Sequence, residues 1–102
     1  MNDNPLVLAH LARAYAISGR KGEALKTLDQ LKEIYKQSYV NPYCFAIAYA
    51  ALGEKDQAFE RLEKGYEDRA GNMDWLKVDP SLDNLRSDPR FKALLKRMNM
   101  PE

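Results

Sequence analysis

Apolar residues recur at helical spacing along the chain, and the pattern returns in a second copy 34 positions later. Residues 12–28 align with residues 46–62. Identical residues occupy these aligned pairs: Ala12 and Ala46, Ala14 and Ala48, Tyr15 and Tyr49, Ala16 and Ala50, Gly19 and Gly53, Lys21 and Lys55, Ala24 and Ala58, Leu28 and Leu62. A fixed period of this size indicates a repeat architecture.

The first copy predicts two helices joined by a tight turn. The first helix should begin at Pro5 with Asn4 as its N-cap, because proline loses nothing at the first helical position. It should end at Gly19, since glycine adopts the left-handed conformation that closes a helix. A second helix follows from about Lys21, and its inner face is predicted to carry Ala24, Leu25, Leu28, Leu31 and Tyr35.

The second copy predicts the same hairpin again. Asn41 and Pro42 repeat the cap and opening proline of the first helix, and Gly53 repeats its stop. The partner helix is predicted over about 55–69.

The period does not run a third time. A third unit in register would need a small residue at position 80 and an aromatic residue at position 83, where Pro80 and Asp83 stand. Residues 72–79 and 81–86 instead predict short helical segments. A final amphipathic helix should open at Asp88 and Pro89, with Phe91, Leu94, Leu95 and Met98 on its apolar face.

The repeated residues resemble the tetratricopeptide repeat (TPR), a helix–turn–helix unit with a small residue and a tyrosine three apart, a glycine at the turn and an alanine opening the second helix. The resemblance implies repeat one at about 5–38, repeat two at about 39–72 and a capping segment at about 73–100. At the family's usual tryptophan position stand Leu8 and Pro42. At its usual proline position stand Lys36 and Ala70.

The fold expectation is therefore one all-α domain over residues 1–102, with two hairpins in an α-solenoid closed by short helices. The tail also resembles the C-terminal TPR region of some bacterial multidomain regulatory proteins, such as adenylate cyclases and winged-helix regulators. One hypothesis that follows is that these residues form the C-terminal part of a larger regulatory protein. Trp75 and Phe91 are the predicted anchors of the tail on repeat two.

In proteins of this family, the first helix of each repeat lines a concave groove, and the resemblance implies an almost wholly apolar lining here. The lining residues are Leu6, Ala9, Arg13, Ala16 and Ile17 from repeat one, and Val40, Tyr43, Ile47, Ala50 and Ala51 from repeat two. A peptide or helix of a partner protein is one predicted occupant. The alternatives are the chain's own tail, or a second copy in a self-association or structural module.

Charge and composition exclude several other partners. The formal net charge is +1, so no strong field favours nucleic acid or an anionic membrane. No apolar run approaches the ~20 residues of a membrane-spanning helix, and the N-terminus lacks the features of a signal peptide. Cys44 is the only cysteine, which rules out an intramolecular disulfide. A cytoplasmic protein is the expectation.

Candidate chemistry is sparse, so we expect no enzyme, cofactor or metal site. His10 has no histidine or acid partner at helical spacing, and a surface role is favoured over catalysis. Asp79 and Asp88 each precede a proline and are predicted to be N-caps. A family subclass binds acidic C-terminal carboxylates through lysine, asparagine and arginine side chains. The equivalent positions here are Ala9, Arg13 and Cys44, of which only Arg13 could contribute, and this disfavours such binding.

The last part of the chain is locally basic. Asp83 and Asp88 dilute this cluster, and basic residues also suit the C-terminal turn of a helix, so a solvated face is favoured over a nucleic-acid site. The basic residues are Arg86, Arg90, Lys92, Lys96 and Arg97.

Overall fold

The structure, a computed structural model, describes residues 4–68 and 79–98, and every regular element within these two ranges is helical. The elements are α1 (Pro5–Ile17), α2 (Lys21–Gln37), α3 (Pro42–Ala51), α4 (Lys55–Glu67), a 3₁₀ helix η1 (Pro80–Leu85) and α5 (Pro89–Arg97). The all-α class is thereby confirmed. Of the helical turns predicted over 72–79, residues 72–78 lie outside the described residues, as does the predicted anchor Trp75.

Local capping explains where three of the helices begin. The side chain of Asn4 accepts a hydrogen bond from the amide of Leu6 at 2.9 Å, and Asn41 accepts one from Tyr43 at 3.0 Å. Asp88 accepts one from the amide of Arg90 at 2.9 Å. In each case a proline follows the cap and needs no donor partner, so the predicted helix starts are confirmed.

The two tight turns are closed by glycines in the left-handed region. Gly19 has φ +83° and Gly53 has φ +80°. Beyond each glycine the chain folds back, and the amides of Arg20 and Glu54 donate to carbonyls five residues earlier at 2.8 and 2.9 Å. These bonds satisfy carbonyls at the helix ends and turn α2 back onto α1, and α4 back onto α3.

One hydrophobic core connects all the described helices, and α3 lies at its centre. Every residue from 42 to 50 is buried, and α3 contacts α1, α2, α4 and η1. Its sequence contains no charged residue, which suits a helix enclosed on all sides. Small side chains at the repeated alanine positions permit close packing, since Ala12, Ala24, Ala46 and Ala58 are all fully buried.

The predicted inner face of α2 is correct at three positions and wrong at two. Ala24, Leu28 and Leu31 are buried, whereas Leu25 is 44% exposed and Tyr35 is 42% exposed. Thr27 is the fourth buried residue of α2. Its hydroxyl donates a hydrogen bond to the carbonyl of Glu23 at 3.0 Å, so burial of Thr27 leaves no polar group unpaired.

The C-terminal helices pack onto the second hairpin. η1 lies against α3 and α5 lies against α4, with Phe91, Leu94 and Leu95 buried as the pattern predicts. The guanidinium of Arg90 lies 4.5 Å from the ring centre of Phe59 and bonds to Asp56 at 2.7 Å. Near the other end of α5, Arg97 pairs with Glu63 at 2.6 Å, while its carbonyl accepts from the hydroxyl of Tyr66.

Candidate functional site

The predicted lining from α1 divides into a buried and an accessible part. Ala9 is fully buried, Arg13 and Ala16 are half-buried, and Leu6 and Ile17 are exposed. Ile17 is the most accessible at 64%. The accessible part therefore lies at both ends of α1.

The predicted lining from the second hairpin is mostly inside the core. Val40, Tyr43, Ile47 and Ala50 are each no more than 2% exposed, and only Ala51 is half-buried. These four residues consequently do not form an open groove for a partner.

The chain's own C-terminal segment covers this part of α3. The Tyr43 hydroxyl donates to the carboxylate of Asp79 at 2.5 Å, and the Asn84 side-chain amide donates to the carbonyl of Ala50 at 2.6 Å. Between these two polar contacts, Leu82 and Leu85 are fully buried in the same core as α3. Of the three occupants predicted from the sequence, the chain's own tail is the one that covers this part of α3.

Asp79 fixes the start of that covering segment. It accepts the Tyr43 hydroxyl and, as the N-cap of η1, the amide of Ser81 at 2.9 Å, which confirms its predicted capping role. Burial raises the pKa of its carboxyl, but these hydrogen bonds to the charged form outweigh burial and the pKa lies below its usual value. Arg86 adds a bond to the Asp79 carbonyl at 2.8 Å.

A cleft of about 340 Å³ remains open beside the covered region. It lies where the C-terminal ends of α1 and α3 meet η1, and its lining comprises Arg13, Ile17, Ala51, Pro80, Ser81, Asp83 and Asn84. Three of these belong to the predicted groove. The sequence did not predict the four lining residues from η1. The signal for them was the Asp79–Pro80 pair, which marks the start of a helix at this point of the chain.

The comparisons with known proteins found no relative. No protein-family model matches the chain, and no curated protein or solved structure matches it significantly.

The cleft combines an apolar wall with polar groups that can orient a ligand. Ile17 and Ala51 form the apolar part, while Arg13 brings a positive charge. Among the described residues Arg13 has no ion-pair partner, whereas Asp83 on the opposite side is bound to Arg86 at 2.8 Å. The cleft can thus accept an apolar side chain next to an acidic group.

The other candidate side chains do not assemble a reactive site in the described part of the chain. Cys44 is buried, and burial raises the pKa of its thiol to about 11, which disfavours the nucleophilic thiolate. His10 is exposed on α1. Within residues 4–68 and 79–98, no group of three histidine, cysteine, aspartate or glutamate side chains could hold a metal ion.

A second depression, of about 410 Å³, lies between α2 and α4 and has a charged lining. Tyr35 contributes an aromatic ring there, and the other described residues of the lining are Glu60, Arg61, Glu63, Lys64 and Glu67. Two of these charges are already paired, Glu63 with Arg97 and Lys64 with Asp68. The mixture of signs gives this depression no preference for an anion or a cation.

Acidic neighbours compensate much of the basic C-terminal cluster. Arg86 pairs with Asp83, Arg90 with Asp56 and Asp88, and Arg97 with Glu63.

Within the described ranges, no helix is both long enough and apolar enough to cross a membrane.

Proposed function

We propose that this chain is a non-catalytic protein-interaction module of the tetratricopeptide type, in which two stacked hairpins form a short α-solenoid. The 34-residue period, the pairing of α1 with α2 and of α3 with α4, and the left-handed glycine in each turn support this proposal. The C-terminal helices close one end of the solenoid.

The proposed binding site is the open cleft between α1, α3 and η1, and the partner is a short peptide segment of another protein. The observation that carries the proposal is Ile17, which is 64% exposed at the cleft wall although it is a large apolar residue. A partner side chain that covers Ile17 and Ala51 would remove apolar surface from water. A carboxylate beside it would pair with Arg13.

A displayed library of random peptides tests this site across many candidate sequences at once. We expect selection on the wild-type chain to enrich peptides with an apolar residue next to aspartate or glutamate. Ile17→Glu should weaken their binding at least tenfold, equivalent to ~1.4 kcal/mol, because it places a charge on the apolar wall and repels the acidic group. Arg13→Gln should weaken the binding less, and its effect should fall at high salt.

The matched control is Gln30→Glu, which adds the same negative charge at an exposed position of α2 that does not line the cleft. It should bind the selected peptides like the wild type. The proposed site would be refuted if the library yielded no binders, or if Ile17→Glu and Gln30→Glu bound the selected peptides equally well with unchanged helical circular dichroism.

A further inference from the structure

The two sides of the open cleft carry opposite charges. Arg13 lies on the α1 side and is the one residue of that helix that is charged at neutral pH. The other side belongs to η1, where Asp79 is the N-cap, Asp83 lines the cleft and Arg86 is the C-cap. Two carboxylates and one guanidinium leave the η1 side with a net negative charge. α3 contributes Ala51 and has no charged residue of its own, so a ligand that matches the cleft carries both signs of charge.

The peptide site proposed above uses Arg13 and Ile17 but leaves the η1 side without a role. We propose that Asp83 binds a basic residue of the same peptide, so that the partner segment has an apolar residue accompanied by one acidic and one basic residue. This inference rests on the proposed function of the cleft as a peptide site. It makes Asp83 the residue that determines specificity for the basic side chain.

The carboxylate of Asp83 is accessible to such a ligand. Its side chain is 67% exposed, and its bond to Arg86 joins the guanidinium Nε to Oδ1 at 2.8 Å. A carboxylate can accept hydrogen bonds at both of its oxygens. A lysine or arginine of the peptide can therefore bind at Oδ2 while Arg86 stays at Oδ1.

Arg86 is also held by contacts that do not involve Asp83. Its Nη2 donates to the carbonyl of Asp79 at 2.8 Å, and its guanidinium lies 5.4 Å from the ring centre of the buried Phe91. η1 itself is fixed to α3 by the side chains of Asp79 and Asn84. Because an exposed ion pair contributes little to stability, replacing Asp83 should remove the ligand contact without displacing η1.

The negative charge of the η1 side disfavours a nucleic acid or an anionic membrane as the ligand. Phosphate groups attracted to Arg13 would meet the carboxylate of Asp83 on the opposite side of the cleft, and like charges placed together oppose binding. A peptide avoids this conflict, because neighbouring residues can carry opposite charges.

Selection from a displayed library of random peptides provides the first test. Selection on the full wild-type chain should enrich lysine or arginine within two positions of the apolar residue, in addition to the acidic residue that pairs with Arg13. Selection on Asp83→Asn should enrich the apolar and acidic residues without the basic one. The difference between the two selections identifies the residue that Asp83 binds.

Two synthetic forms of one peptide selected on the wild type then measure the contact by fluorescence anisotropy. One form keeps the basic residue and the other has glutamine in its place. The basic form should bind the wild type about threefold more tightly, the size expected of an exposed ion pair. Asp83→Asn should remove this difference, whereas Arg13→Gln should weaken both forms and leave their ratio unchanged.

Two further variants serve as controls. Asp83→Glu keeps the carboxylate and should retain the preference for the basic form. Asp29→Asn removes the same charge from an exposed position of α2 that does not line the cleft, and it should bind both forms like the wild type. Circular dichroism checks that each variant is helical.

The inference would be overturned if the wild type bound the two forms equally, or if Asp83→Asn kept the wild-type preference. With either result, a loss of binding in Ile17→Glu would still support the cleft as a peptide site. A library that yields no binders would refute the cleft itself and this inference with it.

Discussion

At the scale of single residues, the left-handed glycines are required by backbone conformation and not by space. A Cβ atom added at Gly53 would meet no atom within 4 Å, yet its φ of +80° is a conformation that other L-residues rarely adopt. Gly53→Ala should therefore destabilise the fold by about 1–2 kcal/mol, measured by urea denaturation. Gly53→Asn should cost less, because asparagine tolerates this region better.

Gly22 supplies the matched control for this prediction. It also has no atom within 4 Å of an added Cβ, but it lies in α2 without a positive φ. Gly22→Ala should stabilise the chain by up to ~1 kcal/mol, since alanine has the higher helix propensity. A loss of stability in both variants would mean that crowding, and not backbone conformation, sets the cost.

The residue scale is also where the sequence was most informative. A proline after asparagine or aspartate and a glycine at the end of an apolar stretch act through bonds within a few residues, so Pro5, Pro42, Pro89 and both turn glycines were predictable. The exposure of Leu25 and the burial of Thr27 could not be predicted in the same way. They depend on which side of α2 its neighbours cover, and a helical period alone leaves this open.

At the scale of the elements, two carboxylates stabilise the starts of η1 and α5, and that of Asp79 also joins η1 to Tyr43 of α3. Asp88 caps α5 and bonds to the Arg90 side chain at 2.9 Å, and these contacts lower the pKa of its carboxyl to about 2. Burial opposes ionisation of Asp79, but the bonds from Tyr43 and Ser81 outweigh it and keep its pKa below the usual value. Both carboxylates are held in the charged form by the fold.

Acid should consequently remove the stabilisation that these two carboxylates give the fold. An aspartate has a pKa of about 3.9 when unfolded. Because the folded values are lower, the stabilisation is present above about pH 4 and is lost as the pH falls through the folded pKa values. The urea midpoint of the wild type should fall more between pH 5 and pH 2.5 than that of the double variant Asp79→Asn and Asp88→Asn.

Asparagine keeps an acceptor at each cap but does not titrate, so the double variant isolates the charge. It should be less stable than the wild type at pH 5, with the difference narrowing in acid. Asp29→Asn, at an exposed position of α2, should leave the wild-type pH dependence unchanged. Parallel pH profiles for the wild type and the double variant would contradict the assignment.

At the scale of the whole molecule, the groove was only partly predictable. Arg13, Ile17 and Ala51, which the repeat register assigned to a groove, line one cleft. The register could not show that Asp79 and Asn84 would anchor η1 over Tyr43 and Ala50, because these contacts join residues more than 30 positions apart. Long-range docking of this kind depends on shape and on polar partners, and a local pattern contains neither.

The same docking predicts how the molecule unfolds. The buried residues form one cluster that includes Leu31 on α2 and Leu94 on α5. A single core of this kind favours one cooperative transition over independent melting of each hairpin. Leu31→Ala and Leu94→Ala should each cost about 2–5 kcal/mol, a large share of the ~5–15 kcal/mol typical of a small domain.

Hydrogen exchange shows whether the stability lost in each variant is lost by both α2 and α5. If the core is one unit, Leu94→Ala should lower the protection of the slowest amides in α2 as much as in α5, and Leu31→Ala should do the same in reverse. The urea transition should shift without broadening. If Leu94→Ala instead loosened α5 alone and left α2 unchanged, the C-terminal helices would be a separable cover, and the polar contacts of Asp79 and Asn84 would not couple them to the first hairpin.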